Sequence, residues 1–373
     1  MKKRGIGRTN MEKRGIGRSG MEKRERKVLL QAAKIAVGSS AAIYTAGVLN
    51  LDFATFAGSI AFLTLVTTKW ETLKLSMLRL LTFFVSVVLA WMIFTHIRYE
   101  WLAYGIYVFL IVVLFEKLGW KTTVSVNAII GTHFLMTRAI GIRFIINEFF
   151  LVLIGVAIAV ILNLFYDYQS QKRALVGNMR YTESRMQTIL REIAVYLSDD
   201  DMQRDVWDDI RTLERETQTF IKDAYEYQGN TFQSHPGYYI DYFEMRMKQC
   251  NVLHNLHYEM KKIRSMPKQA AVIAQYILYL IDYVVEMNVP AAQMERLEAI
   301  FVEMQREPLP VTREEFESRA MLYHILMDLE EFLVLKKRFV TGLDEKQKER
   351  YWKHKDSTQG NADGRNKNEE QQK

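Results

Sequence analysis

Six apolar segments crowd into the first 166 residues: Val28 to Leu49, Phe53 to Thr68, Leu73 to Thr95, Trp101 to Phe115, Thr122 to Thr137 and Phe144 to Phe165. Lipid offers no hydrogen-bond partner to a backbone, and a helix satisfies its own N–H and C=O groups, so a core of about 30 Å calls for roughly 20 helical residues per crossing. The segments predict about six transmembrane helices. The second, fourth and fifth are short by that measure and need flanking residues to complete them, and Asn127 and His133 interrupt the fifth. No proline precedes Pro236, so any break within these helices has to use glycine, Gly131 or Gly141 for example.

Charge placement tests the count independently. The net charge of +7 is concentrated in residues 1 to 27, which hold eleven Lys/Arg against Glu12, Glu22 and Glu25. That arm is a tandem repeat, MKKRGIGRTN, MEKRGIGRSG and MEKRERKVLL, and a start at Met1, Met11 or Met21 is equally workable. A basic arm ahead of a first span is expected on the cytoplasmic side, where it can also lie on anionic lipid. The later loops alternate: Lys69 and Lys74, Lys117 and Lys121, then Lys172 and Arg173 on one side, with Asp52, Arg98, and Arg138 with Arg143 on the other. Trp70, Trp120, Tyr166 and Tyr168 mark the inner interface, and Tyr99, Trp101 and Tyr104 the outer one. The pattern predicts a multi-pass cell-membrane protein with both termini cytoplasmic.

Several function classes fall away. No basic face with interleaved aromatics recurs after the arm, so no nucleic-acid partner is expected. Gly15 to Gly20 spells G-x-G-x-x-G, but no strand precedes it and no βαβ unit follows, so it is not a dinucleotide site. Val28 to Leu49 is too long for the apolar region of a cleaved signal peptide. Cys250, His254 and His257 share one helix face, yet positions seven apart lie about 10 Å apart along the axis, too far for one ion. Neither a metal nor a cofactor is expected, and no catalytic constellation is visible. The chain is read as a non-enzyme.

Beyond Tyr166 the pattern becomes amphipathic helix. Met202, Val206, Ile210, Leu213, Thr217, Phe220 and Ala224 recur at three- and four-residue steps, as do Leu322, Ile325, Leu326, Leu329 and Leu333. The five prolines sit at junctions, and Thr312 with Glu315 spells a capping box. About six helices follow. Ala270 to Val289 is apolar, but Gln275, Asp282 and Glu286 mark it as a buried core helix rather than a seventh span. The fold class is all-α, a polytopic membrane helix bundle plus a soluble cytoplasmic α-helical bundle. The expected divisions are a basic arm at 1–27, a transmembrane domain at 28–166, a cytoplasmic helical domain at 167–345 and a polar, unfolded tail at 346–373.

Lys34-Ile35-Ala36, the run FATFAGSIAFLTLVTT from Phe53 to Thr68, Arg79-Leu80-Leu81, and GVAIAVILNLF from Gly155 to Phe165 resemble the aromatic acid exporter family, which is related to the fusaric acid resistance proteins. The likeness is to its six-span Gram-positive branch with a helical cytoplasmic C-terminal domain, and covers residues 28 to 345. Thr67-Thr68 and Thr82 stand where relatives often carry prolines or glycine. The resemblance implies efflux of aromatic or other organic acids coupled to protons, by a homo-oligomer because six spans are few for a complete pathway. The alternative is a membrane-anchored scaffold or sensor whose cytoplasmic bundle binds a partner.

Ionisable and polar groups at membrane depth are the candidate site, because a charge there costs several kcal/mol unless paired or hydrated. They are Lys34, Arg79, Asn127, His133 and Glu148. As site residues, the cations attract an organic anion and His133 or Glu148 takes up the driving proton. Their plainer alternatives are snorkelling for Lys34 and Arg79, helix-to-helix hydrogen bonding for Asn127 and His133, and a solvated helix start for Glu148.

Overall fold

A computed structural model describes residues 5–137, 141–164, 168–198, 206–232 and 235–353, with the side chains of 5–24, 27, 168 and 353 excepted. The chain divides into two compact units, Met1–Asp167 and Tyr168–Lys373, and every regular element among the described residues is helical. The expectations placed on Arg138, Tyr166, the Tyr168 side chain, Met202 and residues 354–373 lie outside the described residues.

In the first unit, helices form at all six apolar segments: α1 (Gly5–Val48), α2 (Ala54–Leu65), α3 (Lys69–His96), α4 (Glu100–Lys117), α5 (Val124–Thr137) and α6 (Ile142–Leu164). Three stretches are long and apolar enough to cross a membrane, Val28–Val48, Lys69–His96 and Ile142–Leu164. With 12 residues in α2 and 14 in α5, these helices rise only about 20 Å each at 1.5 Å per residue. Much of both is enclosed by neighbours instead, with Phe56, Ala57, Ile60 and Ala61 of α2 and Ile130 and Phe134 of α5 fully or almost fully buried.

The polarity of α3 is inverted relative to a water-soluble helix. Lys69, Thr72, Ser76, Arg79, Phe83, Ser86, Ala90 and Ile93 are buried at alternating three- and four-residue steps, so the interior face is polar for most of its length. Met77, Leu81, Phe84, Val88 and Trp91 are exposed on other faces. Apolar outside and polar inside is the arrangement that hydrocarbon favours. Thr68 starts the helix, its N–H donating to the Glu71 carboxylate at 3.3 Å.

Small residues let these helices approach closely. A Cβ on Gly58 would lie 3.0 Å from the Ser39 carbonyl of α1, and one on Gly155 of α6 would lie 2.6 Å from the Ala57 carbonyl of α2. Gly131 lies within the continuous α5. It clears space for the Tyr107 ring of α4, whose hydroxyl donates to the Asn127 carbonyl at 2.9 Å.

The second unit is a bundle of α7 (Tyr168–Ser198), α8 (Trp207–Asn230), α9 (Tyr238–Met260), α10 (Gln269–Ile281), α11 (Ala291–Arg306) and α12 (Arg313–Gly342), followed by the one-turn α13 (Glu345–Lys348). The predicted stripes are its core: Ile210, Leu213, Leu322, Ile325, Leu326 and Leu329 are fully buried. The apolar segment at 270 is α10, only 13 residues long, and it packs in that core. Thr312 caps α12 by accepting from the Glu315 N–H at 3.1 Å. The reciprocal half of the box is displaced, because the Glu315 carboxylate accepts from Val311 N–H, at 2.9 Å.

The boundary expected at 345 falls too early. Residues Glu349–Lys353 form a π-helical turn, and Tyr351 stacks on Tyr238 at 4.0 Å between centroids while donating to the His235 carbonyl at 2.9 Å. Trp352 donates its indole N–H to the Tyr238 hydroxyl at 3.2 Å. Two aromatic residues in a charged run are enough to dock it.

Candidate functional site

All five candidate residues lie in the first unit, and the structure sorts them into two groups. The first runs along the polar face of α3. The Arg79 guanidinium is 3% exposed and its Nη1 donates to the Ile60 carbonyl of α2 at 3.1 Å and to the Thr64 hydroxyl. It therefore points into the bundle rather than out to a surface. Arg79 Nε is buried with no hydrogen-bond partner among the described residues, and no carboxylate there pairs with the side chain.

Polar contacts extend from Arg79 in both directions. Thr82 Oγ1 donates to the Arg79 carbonyl at 3.3 Å and accepts from Asn127 Nδ2 at 3.0 Å, which brings Asn127 of α5 against α3. Asn127 Nδ2 also donates to the Thr123 carbonyl at 2.9 Å, while its Oδ1, like Ser76 Oγ, is buried without a partner among the described residues. Toward the start of α3, Thr67 and Thr72 hydroxyls lie 2.9 Å apart and Asn163 of α6 donates to Thr72. Lys34 of α1 donates in turn to Asn163 Oδ1, and Lys69 to the Leu164 carbonyl at 3.0 Å. Lys34 and Lys69 are near enough to repel one another. Lys34 and Lys69 thus lie close together beside the start of α3, and Arg79 follows ten residues further along that helix.

The second group joins α5 to α6. His133 Nδ1 lies 3.0 Å from Glu148 Oε2, with Glu148 fully buried and His133 9% exposed. Glu148 is therefore not a solvated helix start. Phe53 stacks on the imidazole at 4.3 Å and Phe56 meets it edge-on at 4.9 Å, which excludes water from the pair. The preceding loop is clasped to α6: Asp52 N–H donates to Asn147 Oδ1 at 2.8 Å, and Asn147 Nδ2 donates back to the Asp52 carbonyl at 3.1 Å. No hydrogen bond joins this pair to Arg79 among the described residues.

Residues 26–166 match the family model described as aromatic acid exporter family member 1, and residues 172–337 match that of the aromatic acid exporter C-terminal domain. The chain belongs to the aromatic acid exporter family. The uncharacterized protein YqjA of Bacillus subtilis (strain 168) is 27% identical over 317 residues, spanning 84% of this chain and 96% of YqjA. A crystal structure of a membrane protein from Clostridium difficile 630 aligns with 45% of this chain and 99% of its own, at 24% identity and a TM-score of 0.40. Membership of the aromatic acid exporter family makes this a membrane protein of a transport family.

In this exporter-family chain the sequence reading missed Thr64, Thr72, Ser76, Thr82 and Asn163, which complete the polar track. The signal was present in α3, where Lys69, Thr72, Ser76, Arg79 and Ser86 repeat with a period near 3.5 inside an apolar run. In the second unit, Cys250 is buried in the hydrophobic core, and His254 lies 3.3 Å from Glu214 under the Trp207 ring. Among the described residues no cluster of three metal-ligating side chains occurs.

Proposed function

We propose that the chain exports small organic acids, aromatic carboxylates foremost, and that proton uptake at His133 and Glu148 drives the export. The observation that carries this reading is the Arg79 guanidinium. A cation buried at membrane depth costs several kcal/mol, and here it meets only neutral acceptors while its Nε remains unsatisfied. A carboxylate supplies both the missing charge and the missing acceptor, and the Nε edge of arginine takes such a group through two parallel hydrogen bonds. Lys34, Lys69 and Asn127 line the same polar track and draw the anion toward it. The transport assay is efflux of labelled benzoate from proteoliposomes under an imposed pH gradient. His133→Gln and Glu148→Gln are each expected to flatten the dependence of rate on pH between about pH 6 and 8, because each removes a titratable group and keeps its approximate shape. Parental rates and an unchanged pH profile in both variants would make the pair structural.

In this reading all six helices of the first unit cross the bilayer, with α2 and α5 short because protein rather than lipid surrounds them, and the working unit is a homo-oligomer. Both termini are cytoplasmic, as the loop charges require. Reporter fusions after Asp52, Glu100 and Gly141 should report the outer side, and fusions after Trp70, Trp120 and Gln171 the inner side. One reversed pair removes the six-span topology.

One observation favours the alternative of a membrane-anchored scaffold or sensor: Leu309 and Val311 are 87% and 92% exposed at the junction between α11 and α12, with Phe316 exposed beside them. A reconstituted chain that moves no acid but retains a cytoplasmic partner through these residues would select that reading.

A further inference from the structure

The guanidinium of Arg79 is seated on the end of a helix. α2 stops at Leu65, and its last two turns hold both groups that accept from Arg79 Nη1, the Ile60 carbonyl at 3.1 Å and the Thr64 hydroxyl. The last carbonyls of a helix have no intrahelical partner and give that end a partial negative charge. Here hydroxyls meet them: the Thr64 carbonyl accepts from the Thr67 hydroxyl at 2.8 Å and from the Thr72 hydroxyl at 3.4 Å. A helix end of this kind can hold a cation without a carboxylate, which leaves the full charge of the guanidinium for a ligand.

Thr64 is arranged as an acceptor. It is fully buried, and its hydroxyl hydrogen is committed to the Ile60 carbonyl at 2.6 Å. Only its lone pairs remain to meet Arg79 Nη1. That bond also ties the two acceptors to one another, so Nη1 is held at two linked points. A single acceptor would let the planar group turn about one bond, whereas two restrict its plane. Nη1 is the nitrogen outside the Nε–Nη2 edge, the edge that grips a carboxylate through parallel hydrogen bonds. Holding Nη1 on α2 therefore keeps that edge clear, and Nε has no partner among the described residues. Ser76, three residues earlier on the same buried face of α3, likewise has a hydroxyl with no partner there.

We propose that Thr64 is the positioning residue of the carboxylate site: by fixing Nη1 at the end of α2, it presents the Nε–Nη2 edge of Arg79 to the bound anion. Serine can do the same, because it keeps the hydroxyl. Valine keeps the shape and cannot accept a hydrogen bond. The Ile60 carbonyl remains in a valine variant, so the charge stays seated while its orientation is lost.

The choice of an organic carboxylate as ligand rests on the transport reading above. The test is calorimetric titration of the full chain in lipid nanodiscs with sodium benzoate, alongside the efflux assay. Thr64→Val and Thr64→Ala are each expected to weaken benzoate binding about tenfold, and Thr64→Ser to hold it within about twofold. In an Arg79→Lys chain, whose ammonium has no planar edge to aim, Thr64→Val should change the affinity less than about twofold. A packing role would instead lower affinity equally in both backgrounds, and thermal midpoints of all variants check the fold. Parental affinity in Thr64→Val and Thr64→Ala, a loss in Thr64→Ser as large as in Thr64→Val, or an undiminished loss in the Arg79→Lys chain would each overturn the proposal. The expected pattern in a chain whose parent exports nothing would overturn the transport reading alone, and a parent that binds no benzoate would overturn both.

Discussion

Arg79→Gln is expected to reduce benzoate efflux at least about thirtyfold while leaving expression and oligomer size at parental levels. Glutamine keeps a neutral amide donor on the same helix face but is two bonds shorter, so the contacts of Nη1 to the Ile60 carbonyl and Thr64 hydroxyl weaken, while the apolar packing of α3 on its neighbours is untouched. What disappears is the positive charge and the second donor edge at Nε. A hydrogen bond to a charged group is worth about 1.5–3 kcal/mol, and every 1.4 kcal/mol is about a factor of ten in affinity. Arg79→Lys should retain part of the rate, because lysine restores the charge without the planar fork. Efflux from the glutamine variant within twofold of the parent would show that Arg79 is a packing residue.

Gly155→Leu is expected to have the largest effect on stability in the first unit. A Cβ at this position would lie 2.6 Å from the Ala57 carbonyl oxygen and 2.8 Å from Ile60 Cβ, so even the first added carbon meets backbone that a rotamer change cannot clear. Overpacking of a tight core typically costs about 1–3 kcal/mol, and leucine here has to push α2 bodily away from α6. The displaced helix carries Ile60 and Thr64, so the seat of Arg79 is lost with it. Monodisperse yield in detergent and the thermal midpoint should both fall. Gly105→Leu is the control, because nothing lies within 4 Å of a Cβ there and the side chain projects into open space. Equal midpoints for the two variants would contradict the close α2–α6 contact.

The helices themselves were legible in the sequence because length and apolarity are local properties. All six apolar segments became helices, and the stripe through Ile210 and Leu213 became core. The site was legible only in part. Arg79, Asn127, His133, Glu148 and Lys34 stand out because each is costly in lipid, but their partners do not. Thr64 and Asn163 are single polar residues in apolar runs, and the bond from Lys34 to Asn163 joins positions 129 apart in the chain. Spacing along one helix cannot announce a partner on another. The orientation of Arg79 was undecidable for the same reason, since a side chain this long reaches either the membrane surface or the neighbouring helix. At the other end of the chain, composition hid Tyr351 and Trp352, whose docking against Tyr238 depends on two rings rather than on the charged residues around them.

Phe53 has a left-handed backbone, with φ of 59°, at the turn that leads into α2. A bulky residue there carries on the order of 1–2 kcal/mol of backbone strain. Its ring is pressed flat against the imidazole of His133, and the adjoining Asp52 is pinned by Asn147. The strained turn is thus held by two contacts, one of them the His133 ring. Replacing the His133 ring with an aliphatic side chain is expected to remove one of those two contacts and to loosen the α1–α2 turn.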